Sequence, residues 1–318
     1  MIERAEELVT VFGGGGFIGR YVCEMLLKSG VRVRAVSRDP RCAHFIQPLG
    51  QVGQVGYAKA DLTKPASIER AIRGSTAVVN LCGVLKGKFT AVHVEGARAL
   101  AQAASEAGAS AFVHVSAIGS DPESESAYGK SKGAGEGAVR SAFPNATIIR
   151  PSIVFGPEDQ LTNRFAGMAS LPFLPVIAAE RKFQPVYVRD LAQAIAAAVL
   201  EPEKYAGKTY EIGGPQVLSM KQLHETILEL TGQAPEVVEI PNIAASMLSR
   251  FGWLPGAPLT RDQWIMLQKD NVPAAGSSGL EAFGVQPTPL AAVGHEWLGR
   301  FHKGGRFAGR RINLTATN

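Results

Sequence analysis

The chain has 318 residues and a formal net charge of +5, and hydrophobic residues make up 46% of it. This apolar content is enough for a sizeable buried core and excludes global disorder. Three cysteines are too few for a disulfide framework, and they indicate packing thiols in a reducing compartment. The segment after His302 holds four basic residues and no acid, which leaves the rest of the chain with 29 bases against 28 acids. The charge therefore belongs mostly to the C-terminal tail.

The ends of the chain bear on where the protein acts. The segment MIERAEELV mixes acids and bases and does not match a signal peptide. No apolar run reaches the ~18 residues that a spanning helix needs. We expect a cytoplasmic protein, with peripheral attachment to the inner membrane left open. The basic tail over 303–318 is predicted to be flexible; it is either a solvated extension or a dock for anionic lipid or an acidic partner.

The first half of the chain alternates short β-branched runs with helical patterns. Strands are predicted at Leu8–Phe12, Val31–Val36, Gln54–Ala60, Ala77–Leu81, Ala111–Ser116 and Thr147–Arg150, and helices at Phe17–Ser29, Ser67–Arg73, Val92–Ala107 and Tyr128–Ser141. Strands that alternate with helices imply crossover connections and a parallel sheet covered on both faces. The expected fold is α/β, a Rossmann-type doubly wound parallel sheet with a small C-terminal cap.

The second half of the chain is less regular. Helices are predicted at Asp190–Leu200, Lys221–Thr231, Asn242–Arg250 and Thr260–Gln268, one strand at Thr209–Ile212, and loops with one short helix over Pro151–Pro185. We expect a nucleotide-binding core over 1–215 with a cap insertion near 155–184, followed by a cap or substrate region over 216–302. The apolar stretch Ile243–Leu254 is interpreted as a core helix, the alternative being a patch that faces a membrane or a partner.

Three glycines follow the first predicted strand. Gly13, Gly16 and Gly19 have the spacing GxxGxxG and open the first predicted helix. Residues without Cβ atoms let the backbone approach a pyrophosphate, and the first turn of the helix, with Phe17 and Ile18, presents free N–H groups. The position of the motif after a strand and before an amphipathic helix predicts a dinucleotide site.

The end of the second predicted strand bears on the cofactor. NAD sites usually carry an acid there for the ribose 2′-hydroxyl. Here Ser37 holds that position and Arg38 follows, and a guanidinium suits a 2′-phosphate. We expect NADP(H) to be preferred; NAD(H) remains possible because Asp39 would bring an acid to the ribose after a shift of one residue.

Two further strand ends are candidate cofactor contacts. Asp61 can accept a hydrogen bond from the adenine amino group while Leu62 packs on the ring; the alternative is an ordinary helix start. Cys82 and Gly83 end the stretch NLCG after the fourth predicted strand, where small residues let the backbone line the cofactor.

Tyr128 and Lys132 are spaced i and i+4, so a helix projects both from one face. A nearby ammonium favours the phenolate and lowers the pKa of a tyrosine. Such a pair can exchange a proton with a carbonyl or alcohol during hydride transfer, and Lys132 can also bind the nicotinamide ribose. Ser116, at the end of the strand before this helix, is the candidate that positions the carbonyl.

These motifs together resemble the short-chain dehydrogenase/reductase superfamily in its extended or atypical branch. The resemblance rests on GxxGxxG, Asp61-Leu62, NLCG, HVEG, YGKSK, RPSIVFGP, PVYVRD and YEIGGP, which stand in the family's order over about residues 8–215. It implies that Pro151 and Ile153 also contact the cofactor. Further stretches, RPSIVFGPEDQLTNRF, FQPVYVRDLA and PLTRDQWIMLQKDNV, resemble the nucleotide-binding accessory subunit of respiratory complex I and its bacterial relatives.

Two departures from the superfamily pattern concern the active site. Ala117 follows Ser116 where the family often has a second hydroxyl residue, and His93 stands where extended members usually have Asn. The resemblance to the complex I subunit implies tightly held NADPH with a structural or assembly role, at the membrane surface or related to quinone. The retained pair Tyr128 and Lys132 keeps an active oxidoreductase or epimerase open.

Other functions have little support in the sequence. A redox-sensing regulator that binds the cofactor without chemistry remains a third alternative. No metal site is expected, because the HExxH-like start at His295 has Gly299 where a zinc site needs the second histidine. Nucleic acid is not an expected partner, since the basic tail lacks interleaved aromatic residues. The predicted partners are a dinucleotide and complex I or a membrane surface; the oligomeric state stays open.

Overall fold

A computed structural model describes residues 6–252 and 259–303. Its central sheet has seven strands, all parallel, in the order β11-β6-β5-β4-β1-β2-β3. These strands are β1 (Leu8–Phe12), β2 (Arg32–Ser37), β3 (Val55–Lys59), β4 (Ala77–Asn80), β5 (Ala111–Val115), β6 (Thr147–Pro151) and β11 (Thr209–Ile212). The Rossmann-type doubly wound sheet predicted from the alternating pattern is confirmed.

Helices cover both faces of this sheet, as crossover connections between parallel strands require. They are α1 (Phe17–Lys28), α2 (Pro65–Ile72), α3 (Ala97–Glu106), α4 (Ala127–Ala142) and α6 (Val188–Leu200). Two clusters of buried apolar side chains pack on the sheet, one with α1 and α6 and the other with α2, α3 and α4, and a small third cluster joins Ala169, Leu174 and Leu228. The carboxyl ends of the strands therefore meet at one edge, where open α/β sheets bind their ligands.

The remaining described elements lie in the second half of the chain. The helices are α5 (Leu161–Met168), α7 (Pro202–Tyr205), α8 (Met220–Thr231), α9 (Asn242–Arg250), α10 (Arg261–Met266), α11 (Leu290–Val293) and α12 (His295–Leu298), and the short strands are β7 (Val154–Phe155), β8 (Phe173–Ile177), β9 (Lys182–Phe183), β10 (Val186–Tyr187), β12 (Leu218–Ser219) and β13 (Glu236–Ile240). The proline-rich segment 151–185 is predicted to be mostly loop, but much of it forms short paired strands. One of these pairs is β8 with β13.

One predicted helix divides in two. The continuous helix expected over Val92–Ala107 is a π-helical segment, Thr90–Gly96, followed by α3. A Cβ atom on Gly96 would lie 2.7 Å from the Cβ of Leu62 and 2.9 Å from the carbonyl oxygen of Ala91. Such insertions in helices are frequent at functional sites.

The interpretation of Ile243–Leu254 as a core helix is wrong for its described part. Helix α9 buries only Ala245 and Ser249, while Ile243 is 74% exposed, Met247 60% and Phe251 58%. Trp253 and Leu254 lie outside the described residues. The large side chains at i, i+4 and i+8 share one outer face of the helix.

No helix within 6–252 or 259–303 combines the length and apolarity that crossing a membrane requires. The same residues contain no group of three or more side chains that could hold a metal ion. Residues 304–318, most of the predicted basic tail, lie outside the described part of the chain.

Candidate functional site

The glycine motif forms a tight turn between β1 and α1. Gly13 has φ +86°, a conformation that side-chain-bearing residues rarely adopt, and its amide donates to the carbonyl of Val36 at 2.9 Å. The amide of Gly16 donates to the carbonyl of Gly13 at 2.9 Å. A Cβ atom on Gly19 would lie 2.1 Å from the carbonyl oxygen of Gly13. The turn and the first turn of α1 therefore pack backbone against backbone, a cradle that any side chain would fill.

The amino end of α1 presents unpaired donors at this turn. Its N-cap residue, Gly16, supplies no side-chain cap, and no acid lies in the first turn. In the described part of the chain, no group accepts a hydrogen bond from the amides of Phe17, Ile18 and Gly19. Free N–H groups and the positive end of the helix dipole are the features that bind a pyrophosphate. The residues present thus fit a dinucleotide.

Of the two charged residues that follow β2, Asp39 forms an ion pair and Arg38 forms none within the described residues. Both carboxylate oxygens of Asp39 accept from the Arg41 guanidinium, at 2.9 Å from Nε and 2.9 Å from Nη2, and these hydrogen bonds hold the pKa of Asp39 below its ordinary value. Ser37 Oγ donates to the carbonyl of Asp39 at 2.7 Å. Arg38 is exposed and has no ion pair within the described residues. An unengaged guanidinium therefore stands at the strand end while the neighbouring acid is occupied.

Asp61 follows β3 and lies in the electrostatic field of Arg38. Its Oδ1 accepts from the amide and hydroxyl of Thr63, at 3.0 and 2.8 Å, and the backbone bond leads in lowering the pKa of Asp61. Lys64 is the N-cap of α2, and the bonds of Asp61 to Thr63 lie in the turn that leads into this helix, so the helix-start alternative stays open beside the adenine contact. Leu62 is buried. An acid and an apolar residue are thus held at the same edge as Arg38.

The end of β4 is stabilised by a buried polar pair. Asn80 Nδ2 donates to His114 Nδ1 at 3.1 Å, and Asn80 Oδ1 accepts from the amide of Cys82 at 3.1 Å. Burial raises the pKa of the Cys82 thiol to about 12, so this cysteine is a small neutral residue. A Cβ atom on Gly83 would lie 4.0 Å from Lys132 Nζ. The strand end and the Tyr-Lys helix therefore meet at Gly83.

The structure brings Tyr128 and Lys132 to this edge on α4. Lys132 is 3% exposed, its Nζ donates to the carbonyl of Val115 at 2.8 Å, and burial lowers the pKa of its ammonium to about 8. The hydroxyl of Tyr128 bonds no group in the described chain. Burial raises the pKa of this phenol to about 12, which corrects the expectation that Lys132 lowers it. Both residues lie on α4, and desolvation is the cause of the raised pKa of Tyr128.

Ser116 lies directly after β5 and is buried. Its hydroxyl pairs with Ser120 Oγ at 2.9 Å, and Ser120 Oγ donates to the carbonyl of Ala117 at 2.7 Å. The hydrogen of Ser120 is thereby used, so Ser116 is the donor of the pair and its lone pairs stay available. The residues implied by the resemblance lie at the end of β6: the carbonyl of Pro151 accepts from Ile118 at 3.1 Å, and the amide of Ile153 donates to Asn271 Oδ1 at 3.1 Å.

His93 is buried beside Tyr128, their rings perpendicular with centroids 5.5 Å apart. The Phe89 ring stacks on the His93 ring with centroids 5.6 Å apart. It meets the Tyr128 ring edge-on at a centroid distance of 6.2 Å. Burial lowers the pKa of His93 to about 4, so the imidazole is neutral at physiological pH. An aromatic wall of Phe89 and His93 thus borders the Tyr128 ring.

Asp262, on α10, reaches the amino end of α4, a contact that sequence reasoning missed. Its carboxylate accepts from the amide of Ala127 at 2.6 Å, the amide of Tyr128 at 3.2 Å and Ser126 Oγ at 3.2 Å. A carboxylate at a helix N-terminus satisfies free donors and complements the dipole. The separation of 134 residues between the partners left no local signal. The C-terminal region therefore anchors the helix that carries Tyr128.

The glycine turn at the amino end of α1 can hold a pyrophosphate, and the helix of Tyr128 and Lys132 lies at the same edge of the sheet. This arrangement defines a dinucleotide-binding protein of the Rossmann class. The model of the NAD dependent epimerase/dehydratase family matches residues 9–213. The chain belongs to this family.

Relatives extend the similarity beyond the family region. The chain is 35% identical over 317 residues to the mitochondrial NADH dehydrogenase (ubiquinone) 1 alpha subcomplex subunit 9 of Rattus norvegicus, covering 97% of this chain and 84% of the rat protein. It is also 35% identical over 208 residues to the ceramide reductase of Caulobacter vibrioides, covering 64% of each. The resemblance to the complex I accessory subunit is confirmed.

Solved structures share the fold at low sequence identity. The NADPH-dependent quinone oxidoreductase of Escherichia coli, complexed with NADPH, superposes with a TM-score of 0.73 at 19% identity, covering 91% of this chain and 99% of that chain. The triphenylmethane reductase of Citrobacter, complexed with NADP(H), gives 0.71 at 20% identity, covering 89% and 97%. These likenesses establish an NAD(P)-binding fold.

Proposed function

We propose that this chain is an NADP(H)-binding protein with a structural or assembly role at the respiratory membrane, as part of or beside complex I. Its similarity to the rat complex I subunit runs over almost the whole chain, including the C-terminal region that anchors α4 through Asp262. The observation that carries the cofactor assignment is an exposed Arg38 with no ion pair in the described part of the chain, next to an Asp39 that is already paired with Arg41.

Different residues of the chain would bind different parts of the dinucleotide. The amides at the start of α1 would bind the pyrophosphate, and Arg38 would pair with the ribose 2′-phosphate. Asp61 and Leu62 would contact the adenine, with Cys82 and Gly83 lining the middle of the groove. Lys132 would hold the nicotinamide ribose. The bound cofactor would supply a hydride to any reaction at this site.

A titration tests the cofactor preference. NADPH and NADH are titrated against the purified chain and against Arg38→Gln, with binding followed by nicotinamide fluorescence. We expect NADPH to bind more tightly to the wild type, and Arg38→Gln to weaken NADPH about tenfold or more while leaving NADH unchanged, because one charge-assisted contact is lost. Tighter binding of NADH by the wild type would contradict the proposal. Arg73→Gln, at the far end of α2, is the matched control.

A second candidate is an active oxidoreductase or epimerase. The observation in its favour is the free hydroxyl of Tyr128 beside Lys132, with Ser116 buried at the neighbouring strand end. Tyr128 would donate its proton to a carbonyl oxygen as hydride reaches the carbon, and the Lys132 ammonium would stabilise the phenolate that remains. Ser116 would orient the carbonyl by turning its hydroxyl hydrogen from Ser120 Oγ to the carbonyl oxygen, which can only accept. No observation favours the third hypothesis, a redox-sensing regulator.

Peripheral attachment to a membrane is part of the proposal. The outer face of α9, formed by Ile243, Met247 and Phe251, is apolar and strongly exposed, and Asn242–Arg250 contains a base and no acid. Apolar side chains next to positive charge suit the interface of an anionic bilayer. The location would then be the cytoplasmic surface of the inner membrane, with the basic tail as a second contact.

Pulldown from solubilised membranes separates the two functions. Wild type, Tyr128→Phe and a chain truncated after His302 are compared for captured complex I subunits and for rescue of a deletion strain. A structural role predicts that Tyr128→Phe keeps both capture and rescue, because only one hydroxyl is lost. Loss of rescue with capture intact would contradict the purely structural role and favour the enzyme. Truncation is expected to reduce membrane or partner capture while NADPH affinity stays within about twofold.

A further inference from the structure

His93 connects two parts of the site that lie far apart in the sequence. One is the segment after β4, where Cys82 and Gly83 would line the proposed cofactor groove. The other is α4, which carries Tyr128 and Lys132. His93 lies between them in the π-helical segment Thr90–Gly96, 2% exposed, and both of its ring nitrogens are hydrogen-bonded.

The direction of each hydrogen bond follows from the chemistry of its partners. The amide of Val84 can only donate, so His93 Nε2, at 2.9 Å, is the acceptor and carries no proton. The neutral ring then has its proton on Nδ1, which donates to Ser131 Oγ at 2.8 Å. Ser131 Oγ in turn donates to the carbonyl of Tyr128 at 2.9 Å. One chain of donors therefore runs from Val84 through the imidazole to the backbone of Tyr128.

Packing makes this connection stiff. A Cβ atom on Gly135 would lie 2.1 Å from the carbonyl oxygen of His93, so α4 touches the π-helical segment backbone to backbone. The His93 ring stands perpendicular to the Tyr128 ring and stacks on that of Phe89 at an interplanar angle of 28°. A Cβ atom on Gly83 would lie 3.7 Å from His93 Nε2. The imidazole thus has fixed neighbours on the groove side and on the helix side.

We propose that His93 is a positioning residue that ties the cofactor-facing segment 82–84 to the helix of Tyr128 and Lys132, so that the dinucleotide groove and the Tyr128 side chain keep one relative placement. The proposal rests on the proposed dinucleotide binding and deepens it. Its specific requirement is an acceptor at the position of Nε2 and a donor at the position of Nδ1. Asparagine is too short to reach Val84 from this site.

Two substitutions test the hydrogen bonds of the two ring nitrogens of His93 separately. His93→Gln places an amide oxygen near Nε2 and keeps the acceptor for Val84; His93→Asn keeps a polar group near Nδ1 only. NADPH affinity is measured by fluorescence titration, and protection of the Val84 amide by hydrogen exchange. We expect His93→Asn to weaken NADPH about tenfold and to expose the Val84 amide, because a buried N–H loses its acceptor. We expect His93→Gln to stay within about threefold and to keep the protection.

Two further variants keep the test independent of folding. His224→Asn removes another buried histidine, bonded to the carbonyl of Met220 on α8, and should lower the melting temperature without changing NADPH affinity. Ser131→Ala deletes the acceptor of Nδ1–H together with the donor to the Tyr128 carbonyl, and it should weaken NADPH about threefold while the Val84 amide stays protected. Equal losses in His93→Gln and His93→Asn, no loss in any His93 or Ser131 variant, or an equal loss in His224→Asn would overturn the proposal. Failure of wild type to bind NADPH would instead overturn the proposed function.

Discussion

At the scale of single residues, backbone contacts determine the shape of the glycine turn that would hold the cofactor. Gly19 packs against the carbonyl oxygen of Gly13, and no group among the described residues accepts from the amides of Phe17 and Ile18. On the polar side, Arg38 forms no ion pair within 6–252 and 259–303, while Asp39 is bound to Arg41. The glycine spacing made the first feature predictable from the sequence. The pairing of Asp39 was not predictable, because Arg41 becomes its partner only when Asp39 caps the 3₁₀ segment Pro40–Leu49.

Gly19→Ala tests the cradle directly. The added Cβ would lie 2.1 Å from the Gly13 carbonyl oxygen, so the turn and α1 must move apart. We expect NADPH binding to fall by at least about tenfold, since the pyrophosphate donors shift with the turn. The measurement is fluorescence titration. Gly299→Ala, whose Cβ would meet no atom within 4 Å and whose φ is −55°, should leave affinity intact; wild-type affinity in Gly19→Ala would refute the role of the close approach.

Helix α4 shows what tertiary packing does to one element. It contains four glycines that weaken helix formation, and it is held by Asp262 at its amino end and by contact with the π-helical segment. The sequence predicts the helix and the facing of Tyr128 and Lys132, since both follow from the 3.6-residue period. It does not predict the phenol's pKa, because burial depends on Phe89 and His93 brought in from another segment.

Two glycine substitutions on α4 should have opposite effects on stability. Gly137 has no atom within 4 Å of an added Cβ, so Gly137→Ala should raise the free energy of unfolding by up to about 1 kcal/mol through helix propensity. Gly135→Ala should lower it by about 2 kcal/mol or more, because its Cβ would meet the His93 carbonyl oxygen at 2.1 Å. Urea denaturation at neutral pH measures both. A stabilising Gly135→Ala would contradict the packing described for α4.

At the scale of the whole molecule, buried histidines set the response to acid. Burial lowers the pKa of His93, His114 and His224, and two of them have a ring nitrogen with no partner in the described residues. The unfolded chain binds protons near pH 6.5 that the folded chain does not bind until lower pH. Protons therefore favour the unfolded state, and stability is lost as the pH falls below about 6.5.

The acid response gives a quantitative expectation. For His93 alone, the fall from the ordinary value of 6.5 to about 4 corresponds to about 3 kcal/mol of stability lost between pH 6.5 and pH 4. We expect denaturation midpoints in urea to fall over this interval and the fall to be smaller in His93→Gln. A midpoint that rises, or a slope identical in His93→Gln, would be inconsistent with a neutral buried imidazole.

The sequence by itself determined the fold class, the glycine turn and the shared helix face of Tyr128 and Lys132, because these depend on residues close together in the chain. Tertiary structure decided the rest. Asp262 reaches α4 across 134 residues, burial raises the pKa of Tyr128 and lowers that of Lys132, and α9 leaves Ile243, Met247 and Phe251 in solvent. Long-range contacts and desolvation depend on which elements pack together, and no local pattern of residue types records that choice.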